Sequence, residues 1–260
     1  MKILVNGICG FMGREVAKLC TAGYRGAALA GGIDPAGIET EGAVVYTDFT
    51  SVPADADIDC IIDFSVHFCT PALLEFACER KIPVVLATTG HTPQELDSIN
   101  AAAKSIPLFF SANMSLGVAL LVELAKKTAA AMPDADIEIV ETHHNRKLDA
   151  PSGTALMIAE AIRTVRTDAE LKKGRSGQAK REVGEIGIHA VRMGNIVGTH
   201  EVLVGTQNQT ITLKHEAHSR ALFAEGAVAA ADFICGKKAG LYDMNSLVAG
   251  DESEALAPAL

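Results

Sequence analysis

Apolar runs of strand length alternate with amphipathic stretches along the first half of the chain. The apolar runs cover residues 2–6, 27–33, 60–64, 83–87 and 107–111. Helical spacing covers residues 12–22, 71–80 and 93–104, and Thr92-Pro93 is a typical start for the last of these helices. Near-continuous apolar strands separated by helices are typical of a parallel sheet covered on both faces. We therefore predict an α/β fold with a doubly wound parallel sheet.

The pattern changes from residue 116 onward. It predicts a long helix over 116–132, an alternating strand over 136–142 and a helix over 152–165. Three further runs, 186–193, 196–204 and 209–216, alternate apolar with polar or small residues and are separated by turn residues. We read them as an antiparallel meander, which gives a smaller α+β domain with a mostly antiparallel sheet. An Ala-rich helix over 219–234 is predicted to return to the first domain.

One basic segment interrupts this second half. Residues 166–184 contain five cations together with Gly174 and Gly177: Lys172, Lys173, Arg175, Lys180 and Arg181. We predict a mobile basic loop, and a merely solvated insertion is the alternative.

Composition and charge narrow the class of protein. The 260 residues suit one large domain or two modest ones, and 48% hydrophobic with 21% charged residues is typical of a globular chain. A formal net charge of −9 argues against a nucleic-acid partner, which needs a basic surface. We find no apolar run of about 18 residues and no signal segment after Met1. The expectation is a soluble, cytoplasmic protein with no membrane partner.

The six cysteines do not suggest a metal site. None forms a Cys-x-x-Cys pair, and none lies near clustered histidines, so we expect no metal. We interpret them as reduced thiols that act as small core hydrophobes.

A glycine-rich loop follows the first predicted strand and opens the first helix. Its sequence is Gly7-Ile8-Cys9-Gly10-Phe11-Met12-Gly13. Gly7 permits a tight turn, Gly10 lets backbone amides approach a pyrophosphate, and Gly13 lets helix and strand pack closely. Asp34 ends the second strand about 20 residues later, where a carboxylate accepts hydrogen bonds from ribose hydroxyls. We predict dinucleotide binding, hence a Rossmann-type domain. The alternative for the glycine loop is a plain tight turn, and the alternative for Asp34 is an ordinary turn residue before Pro35.

Small polar residues follow two later strands of the same predicted sheet. These are Thr88-Thr89-Gly90 and Ser111-Ala112-Asn113-Met114. Because ligands of such sheets bind outside the carboxyl ends of the strands, nicotinamide and substrate would lie there. Helix capping and turn formation explain the same residues equally well.

The densest polar stretch joins a strand to a helix at residues 141–154. His143 and His144 point in opposite directions on extended backbone, so they would not chelate one metal ion together. An imidazole with Lys147 four residues later suits proton transfer and binding of an anion. Ser152-Gly153-Thr154 at a helix start offers amides to a carboxylate. A basic surface loop without chemistry is the alternative.

These segments together resemble the 4-hydroxy-tetrahydrodipicolinate reductase (dihydrodipicolinate reductase) family over nearly the whole chain. The most specific element is His-His-x-x-Lys-x-Asp-Ala-Pro-Ser-Gly-Thr-Ala within residues 141–155. The glycine loop and residues 87–90 and 111–114 also match. Further matches are residues 194–201, His215 with Ser219-Arg220, and residues 240–244.

The resemblance implies a role for each matching residue. NAD(P)H would be bound by Gly7, Ile8, Cys9, Gly10, Phe11, Met12, Asp34, Ala87, Thr88, Thr89, Ser111, Ala112, Asn113 and Met114. His143 would be the proton donor and acceptor, and Lys147 the second proton donor. The substrate would be bound by His144, Gly153, Thr154 and Thr89.

The resemblance also implies an architecture and a reaction. Residues 1–114 would bind the dinucleotide, residues 115–219 the substrate, and residues 220–260 would return to the first domain. The second domain's sheet would build a homotetramer. The reaction would reduce a dicarboxylate, 4-hydroxy-tetrahydrodipicolinate, to tetrahydrodipicolinate with loss of water, in lysine and diaminopimelate biosynthesis.

Two departures from the family pattern bear on the cofactor. Phe11 stands where many relatives carry Arg, and Pro35 stands where those favouring NADPH carry a cation. We therefore predict that NADH is preferred and that NADPH is used more weakly. Two alternatives remain: a related Rossmann oxidoreductase, such as a homoserine or aspartate dehydrogenase, and a non-catalytic NAD-binding regulator. Neither requires the pattern from His143 to Thr154.

Overall fold

The structure is a computed structural model that describes residues 1–250. The chain divides into two compact units, one formed by Met1–Leu116 with the chain from Ala221 onward, the other by Gly117–Arg220. In chain order the elements are β1 (Lys2–Asn6), α1 (Phe11–Thr21), β2 (Ala28–Ile33), β3 (Val45–Tyr46), β4 (Cys60–Asp63), α2 (Thr70–Arg80), β5 (Val84–Leu86), α3 (Pro93–Ala102), β6 (Pro107–Phe110), α4 (Leu116–Ala131), β7 (Asp136–His143), α5 (Gly153–Arg163), β8 (Glu170–Lys173), β9 (Glu185–Arg192), β10 (Gly198–Gly205), β11 (Thr210–Ala217), α6 (Ala221–Ile234), β12 (Gly240–Tyr242) and α7 (Met244–Ala249).

The first unit is built on a seven-stranded sheet in the order β12-β6-β5-β4-β1-β2-β3. Every pairing in it is parallel, and β4 and β5 are buried along their whole length. The predicted doubly wound parallel sheet is therefore confirmed. The order reverses at β1, where β2 lies on one side and β4 on the other, and α6 packs against α1. Strands β3 and β12 have two and three residues, too few to give a detectable pattern.

The second unit is built on a five-stranded mixed sheet in the order β11-β10-β7-β9-β8. The predicted antiparallel pairing of β10 with β11 is confirmed. The pairing of β9 with β10, which would complete the meander, is wrong, because β7 lies between them and pairs with β9 in parallel. The link from β9 to β10 crosses the end of β7. There Met193 N–H donates to His143 O over 2.9 Å, and His144 N–H donates to Ile196 O over 2.8 Å. Two pairings of the sheet are antiparallel and two are parallel.

The prediction of a mobile loop over 166–184 is also wrong in part. Residues 170–173 form β8, the edge strand beside β9. Two of the cations that suggested a solvated loop bind acidic residues instead. Arg181 binds Glu138 and donates from Nε to Asp136 Oδ1 over 2.8 Å, and Arg175 lies 3.3 Å from Glu138. Local composition could not reveal these partners, because they lie on another strand.

Alternation along the central strand gives this sheet two different faces. Every second residue of β7 is buried, and these residues are Ile137, Ile139, Glu141 and His143. The two isoleucines pack in one core with α4 and α5. Glu141 and His143 therefore lie on the face that the helices cover, at the end of a strand.

Two further properties concern the described residues as a whole. Within residues 1–250, no helix is both long and apolar enough to cross a membrane. All six cysteines are free thiols.

Candidate active site

The glycine loop lies between β1 and α1, where backbone segments approach closely. Gly7 has φ +80°, and a Cβ there would lie 2.8 Å from the carbonyl oxygen of Phe64. A Cβ at buried Gly13 would overlap the carbonyl oxygen of Gly7. Gly10 is exposed, and no side chain caps the start of α1 that follows it. This geometry fits a phosphate group at the helix start.

Asp34 lies beside this loop at the end of β2. Its Oδ2 accepts a hydrogen bond from Cys9 N–H over 3.2 Å, and its Oδ1 accepts one from Ala36 N–H over 3.0 Å. The structure thus brings Asp34 and the loop together, as the sequence predicted. Pro35 is exposed, and the side chain of Phe11 is 62% exposed. Of the other loop residues, Ile8 is buried and Cys9 and Met12 are half-buried.

The remaining predicted cofactor residues lie at the carboxyl ends of β5 and β6. Ala87, Thr88 and Met114 are buried, whereas Thr89 and Ala112 are exposed. Ser111 Oγ donates to the carbonyl oxygen of Asn113 over 2.9 Å, which closes the turn after β6. Since the strands are parallel, these residues share one edge of the sheet with the glycine loop.

Asp63, for which the sequence predicts no role, is the last residue of β4, between β1 and β5 in the sheet. Its carboxylate is fully buried and accepts from Asn6 Nδ2 over 2.7 Å and from Ser65 Oγ over 2.6 Å. Burial raises the pKa of Asp63, although the hydrogen bonds oppose that rise. The Asp63 carboxylate stabilises the turn at the carboxyl end of β4 by accepting hydrogen bonds from Ser65.

His143 is the last residue of β7 in the second unit. It is 8% exposed, and its Nδ1 lies 2.5 Å from Oε2 of Glu141. The two residues are separated by one position, so they share a face of the strand. On the other side of the ring, a Cβ at Gly198 would lie 3.0 Å from Nε2. A side chain at position 198 would therefore crowd Nε2 of His143.

Glu141 is a fully buried carboxylate with four hydrogen-bond donors around it. Arg192 donates from Nη1 to Oε2 over 2.8 Å and from Nη2 to Oε1 over 2.7 Å. Oε1 also accepts from Ser152 N–H over 3.0 Å. Burial opposes ionisation, but the bonds from Arg192, His143 and Ser152 outweigh it and lower the pKa of Glu141. The carboxylate is therefore ionised at neutral pH.

A second histidine, His200 on β10, packs against this group. Its ring lies 5.2 Å from the ring of His143, edge to face. Its Nε2 lies 3.2 Å from Ser152 Oγ, and Ser152 Oγ also accepts from Ala155 N–H to cap α5. Burial, with His143 as a further cause, lowers the pKa of His200 to about 4. This ring is neutral at physiological pH.

The other residues of the predicted site follow in the turn between β7 and α5. Lys147 Nζ lies 2.7 Å from Asp149 Oδ1, and the carbonyl oxygen of Asp149 accepts from Arg192 over 2.6 Å. His144 is half-buried, and burial followed by the nearby Arg146 lowers its pKa.

At the end of the turn, the predicted substrate residues open a helix. Gly153 is exposed at the start of α5, and Thr154 beside it is half-buried. Bonds through Glu141, Arg192 and Ser152 connect the helix start to the turn and to His143. The arrangement places an imidazole, an ammonium group and a helix start in one network, which suits proton transfer to a bound carboxylate compound.

Comparison with known protein families shows to which family the chain belongs. One family model, described as the N-terminus of dihydrodipicolinate reductase, matches residues 1–114, and one described as its C-terminus matches residues 117–248. The chain belongs to the dihydrodipicolinate reductase family. The predicted family, fold class and reductase function are thereby confirmed. Membership also indicates a nicotinamide dinucleotide as the cofactor and a small molecule as the substrate.

Individual members of the dihydrodipicolinate reductase family resemble the chain over nearly its full length. The 4-hydroxy-tetrahydrodipicolinate reductase of Caldanaerobacter subterraneus subsp. tengcongensis is 46% identical over 250 residues, which is 95% of this chain and 98% of that protein. The protein of the same name from Clostridium novyi is 39% identical over 249 residues, with the same coverage. A dipicolinate-bound dihydrodipicolinate reductase from Paenisporosarcina sp. TG-14 shares the fold with a TM-score of 0.79 at 24% identity, covering 94% of this chain and 97% of that one.

The sequence does not predict the hydrogen-bonding roles of three residues in this candidate site, Glu141, Ser152 and Arg192. Glu141 lies within a polar stretch, and its spacing from His143 along extended backbone is the one local signal that both side chains lie on one face. The sequence predicts Ser152 at a helix start but not its N–H as a donor to Glu141. Arg192 carried no signal, because its contact depends on β9 lying beside β7.

Proposed function

We propose that His143 donates the proton when this chain reduces 4-hydroxy-tetrahydrodipicolinate. The hydroxylated substrate loses water to give a conjugated cyclic imine, which accepts hydride at C4 and a proton at the adjacent carbon. One observation carries the assignment. Nδ1 of His143 is held 2.5 Å from an ionised carboxylate, so Nε2 is the ring nitrogen left to exchange a proton with a ligand.

The first unit offers the binding groups for the cofactor. When bound, the reduced nicotinamide dinucleotide supplies the hydride. We assign its pyrophosphate to the glycine loop and the start of α1, and its adenosine ribose to Asp34. The strand ends would hold the remainder, through Ala87, Thr88, Thr89, Ser111, Ala112, Asn113 and Met114.

The second unit offers the binding groups for a dicarboxylate. Lys147 supplies a cation, and the amides of Gly153 and Thr154 open α5. His144 is assigned as a neutral donor, in keeping with its lowered pKa. Thr89, which follows β5, remains a predicted substrate residue. The dipicolinate in the Paenisporosarcina enzyme, a planar ring with two carboxylates, supports this class of ligand.

Turnover of that substrate tests the proposal directly. Pyruvate and aspartate semialdehyde are condensed immediately before the assay, and oxidation of NADH is followed by its absorbance. We expect turnover that depends on the condensed product. In a separate assay with NAD⁺ as hydride acceptor, oxidation of homoserine or aspartate would favour a related dehydrogenase instead. NADH binding without turnover of any of these compounds would favour a non-catalytic NAD-binding regulator.

The cofactor preference is a separate proposal. Phe11 and Pro35 leave two positions without a cation for a ribose 2′-phosphate, while Asp34 would repel that phosphate. Charged hydrogen bonds contribute about 1.5–3 kcal/mol each, so we expect kcat/KM to be roughly 10–150-fold higher with NADH than with NADPH. Pro35→Arg should narrow the difference, since it supplies one cation. Equal or better use of NADPH by the parent chain would contradict the proposal.

We also propose that the second unit assembles the chain into a homotetramer. Along β7 and β10 the residues on the helix-covered face are buried. On the opposite face Val140 and Leu203 are only half-buried, and Val191 of β9 is exposed. An antiparallel or mixed sheet with apolar residues on an uncovered face is suited to a self-complementary contact. The cytoplasmic location that the sequence predicts stays a prediction.

Light scattering tests this assembly. At micromolar concentration we expect a particle of four times the chain mass of 27.2 kDa. Leu203→Glu should dissociate it, because the carboxylate would be placed in the contact. Val183→Glu, at a fully exposed apolar residue outside the sheet, should leave the mass unchanged. A monomer mass for the parent chain would refute the tetramer.

A further inference from the structure

The two oxygens of the Glu141 carboxylate serve two different parts of the proposed site. Oε2 lies 2.5 Å from Nδ1 of His143, the proposed proton donor. Oε1 accepts from the N–H of Ser152, the residue immediately before the proposed carboxylate-binding amides of Gly153 and Thr154.

We propose that Glu141 is the positioning residue that holds the proton donor and the substrate-binding helix start in one fixed arrangement. The inference rests on the proposed function, because it concerns the same reaction. It separates two effects: through His143 the carboxylate sets kcat, and through Ser152 it sets the binding of substrate.

The first requirement is that the carboxylate stays ionised and does not rotate. Arg192 binds both oxygens, which fixes the plane of the carboxylate in the way that a bidentate arginine does. The guanidinium is itself fixed, because it donates to the carbonyl oxygens of Val191 over 2.8 Å and Asp149 over 2.6 Å. The same arginine therefore connects the carboxylate to the turn that carries Lys147.

The second requirement is that only one tautomer of His143 satisfies the bond. An ionised carboxylate only accepts hydrogen bonds, so Nδ1 must carry the proton that lies between them. The exchangeable proton of the protonated ring is then on Nε2, the ring nitrogen next to Gly198, which has no side chain to cover it. His200 is neutral and bound to Ser152, so it supplies no competing charge.

Replacing Glu141 with glutamine tests the role of the charge with almost no change in shape. Its amide nitrogen would face either Ser152 N–H and Arg192, or Arg192 and His143, so one donor always meets another. We expect Glu141→Gln to lower kcat by about 10–100-fold, typical of an outer hydrogen-bond partner of a functional histidine. The KM for the substrate should rise about three- to tenfold, and the Kd of NADH should not change.

A double-mutant cycle separates positioning from general structural damage. In the His143→Gln background, adding Glu141→Gln should change kcat by less than about threefold, because the carboxylate no longer has a proton donor to orient. The rise in KM should persist in that background, since the bond to Ser152 does not involve His143. Multiplicative loss of kcat in the double variant would overturn the proposal.

The tautomer provides a readout that does not depend on activity. Nitrogen-15 NMR of the imidazole rings, with His143→Gln used to assign the signals, should find neutral His143 of the parent chain protonated on Nδ1. In Glu141→Gln this preference should be reduced or reversed. If neutral His143 of the parent is protonated on Nε2, Glu141 does not position it as proposed.

Two further variants guard against misfolding and general effects. Glu141→Gln with Arg192→Met removes both charges together, which avoids an unpaired buried cation. If that folded variant keeps the parent kcat, the proposal is wrong. Glu160→Gln on α5, exposed and paired with Arg163, is the matched control and should behave as the parent does. An inactive parent with Nδ1-protonated His143 would refute the proposed function but not the positioning.

Discussion

His143→Gln is expected to lower kcat by about 10²–10⁴, the usual contribution of a general acid. Hydride addition places electron density on the conjugated imine, so a proton must arrive at the neighbouring carbon from a group close to it. Glutamine fills a similar volume and can still form a hydrogen bond with Glu141, but it has no acidic proton to replace the one on Nε2 of His143. Steady-state kinetics with the condensed substrate measures the loss.

The same variant should bind NADH nearly as tightly as the parent. His143 belongs to the second unit, whereas the glycine loop and Asp34 belong to the first. A fluorescence titration of NADH checks this. His189→Gln is a matched control, because His189 lies in the same sheet and binds Glu138, not Glu141. A near-normal kcat in His143→Gln would refute the assignment and point to His144.

Lys147→Ala is expected to lower kcat/KM by about 10–150-fold, with changes in both kcat and KM. A charged hydrogen bond to a carboxylate contributes about 1.5–3 kcal/mol, and its loss from the ground-state complex raises KM. Because Lys147 is also assigned as a second proton donor, kcat should fall as well. Its ammonium group is held 2.7 Å from Asp149, which keeps it within the turn before α5.

The split between the two kinetic constants is informative. A rise in KM alone would mean that Lys147 only binds substrate, and the second proton-donor role would be withdrawn. Lys126→Ala removes a lysine that pairs with Glu123 on α4 and should leave both constants unchanged. An unchanged kcat/KM for Lys147→Ala would contradict both roles.

The local sequence predicts much of this site. The spacing of Gly7, Gly10 and Gly13 after a strand predicted a turn with close backbone contacts, and the structure has them because no Cβ fits at Gly7 or Gly13. The strict alternation along β7 predicted which residues face the same side. The same alternation puts Glu141 and His143 on one face, because side chains two residues apart on a strand point to the same side.

The order of the strands could not be read in the same way. Alternation assigns a face to each residue but does not name the neighbouring strand, so the last three strands looked like a meander. Only the fold inserts β7 between β9 and β10. That insertion brings Arg192 of one neighbour and His200 of the other to the end of β7.

The sequence by itself therefore determined most of the helices and longer strands, the glycine loop, the family and the candidate proton donor. These depend on contacts within a few residues or on a motif carried in order along the chain. Tertiary structure alone decided what surrounds the donor: an arginine 51 positions from Glu141 and a helix cap 11 positions from it. These distant donors keep the Glu141 carboxylate ionised although it is buried. Moving a carboxylate out of water costs free energy, and here the hydrogen bonds from Arg192, His143 and Ser152 together offset that cost.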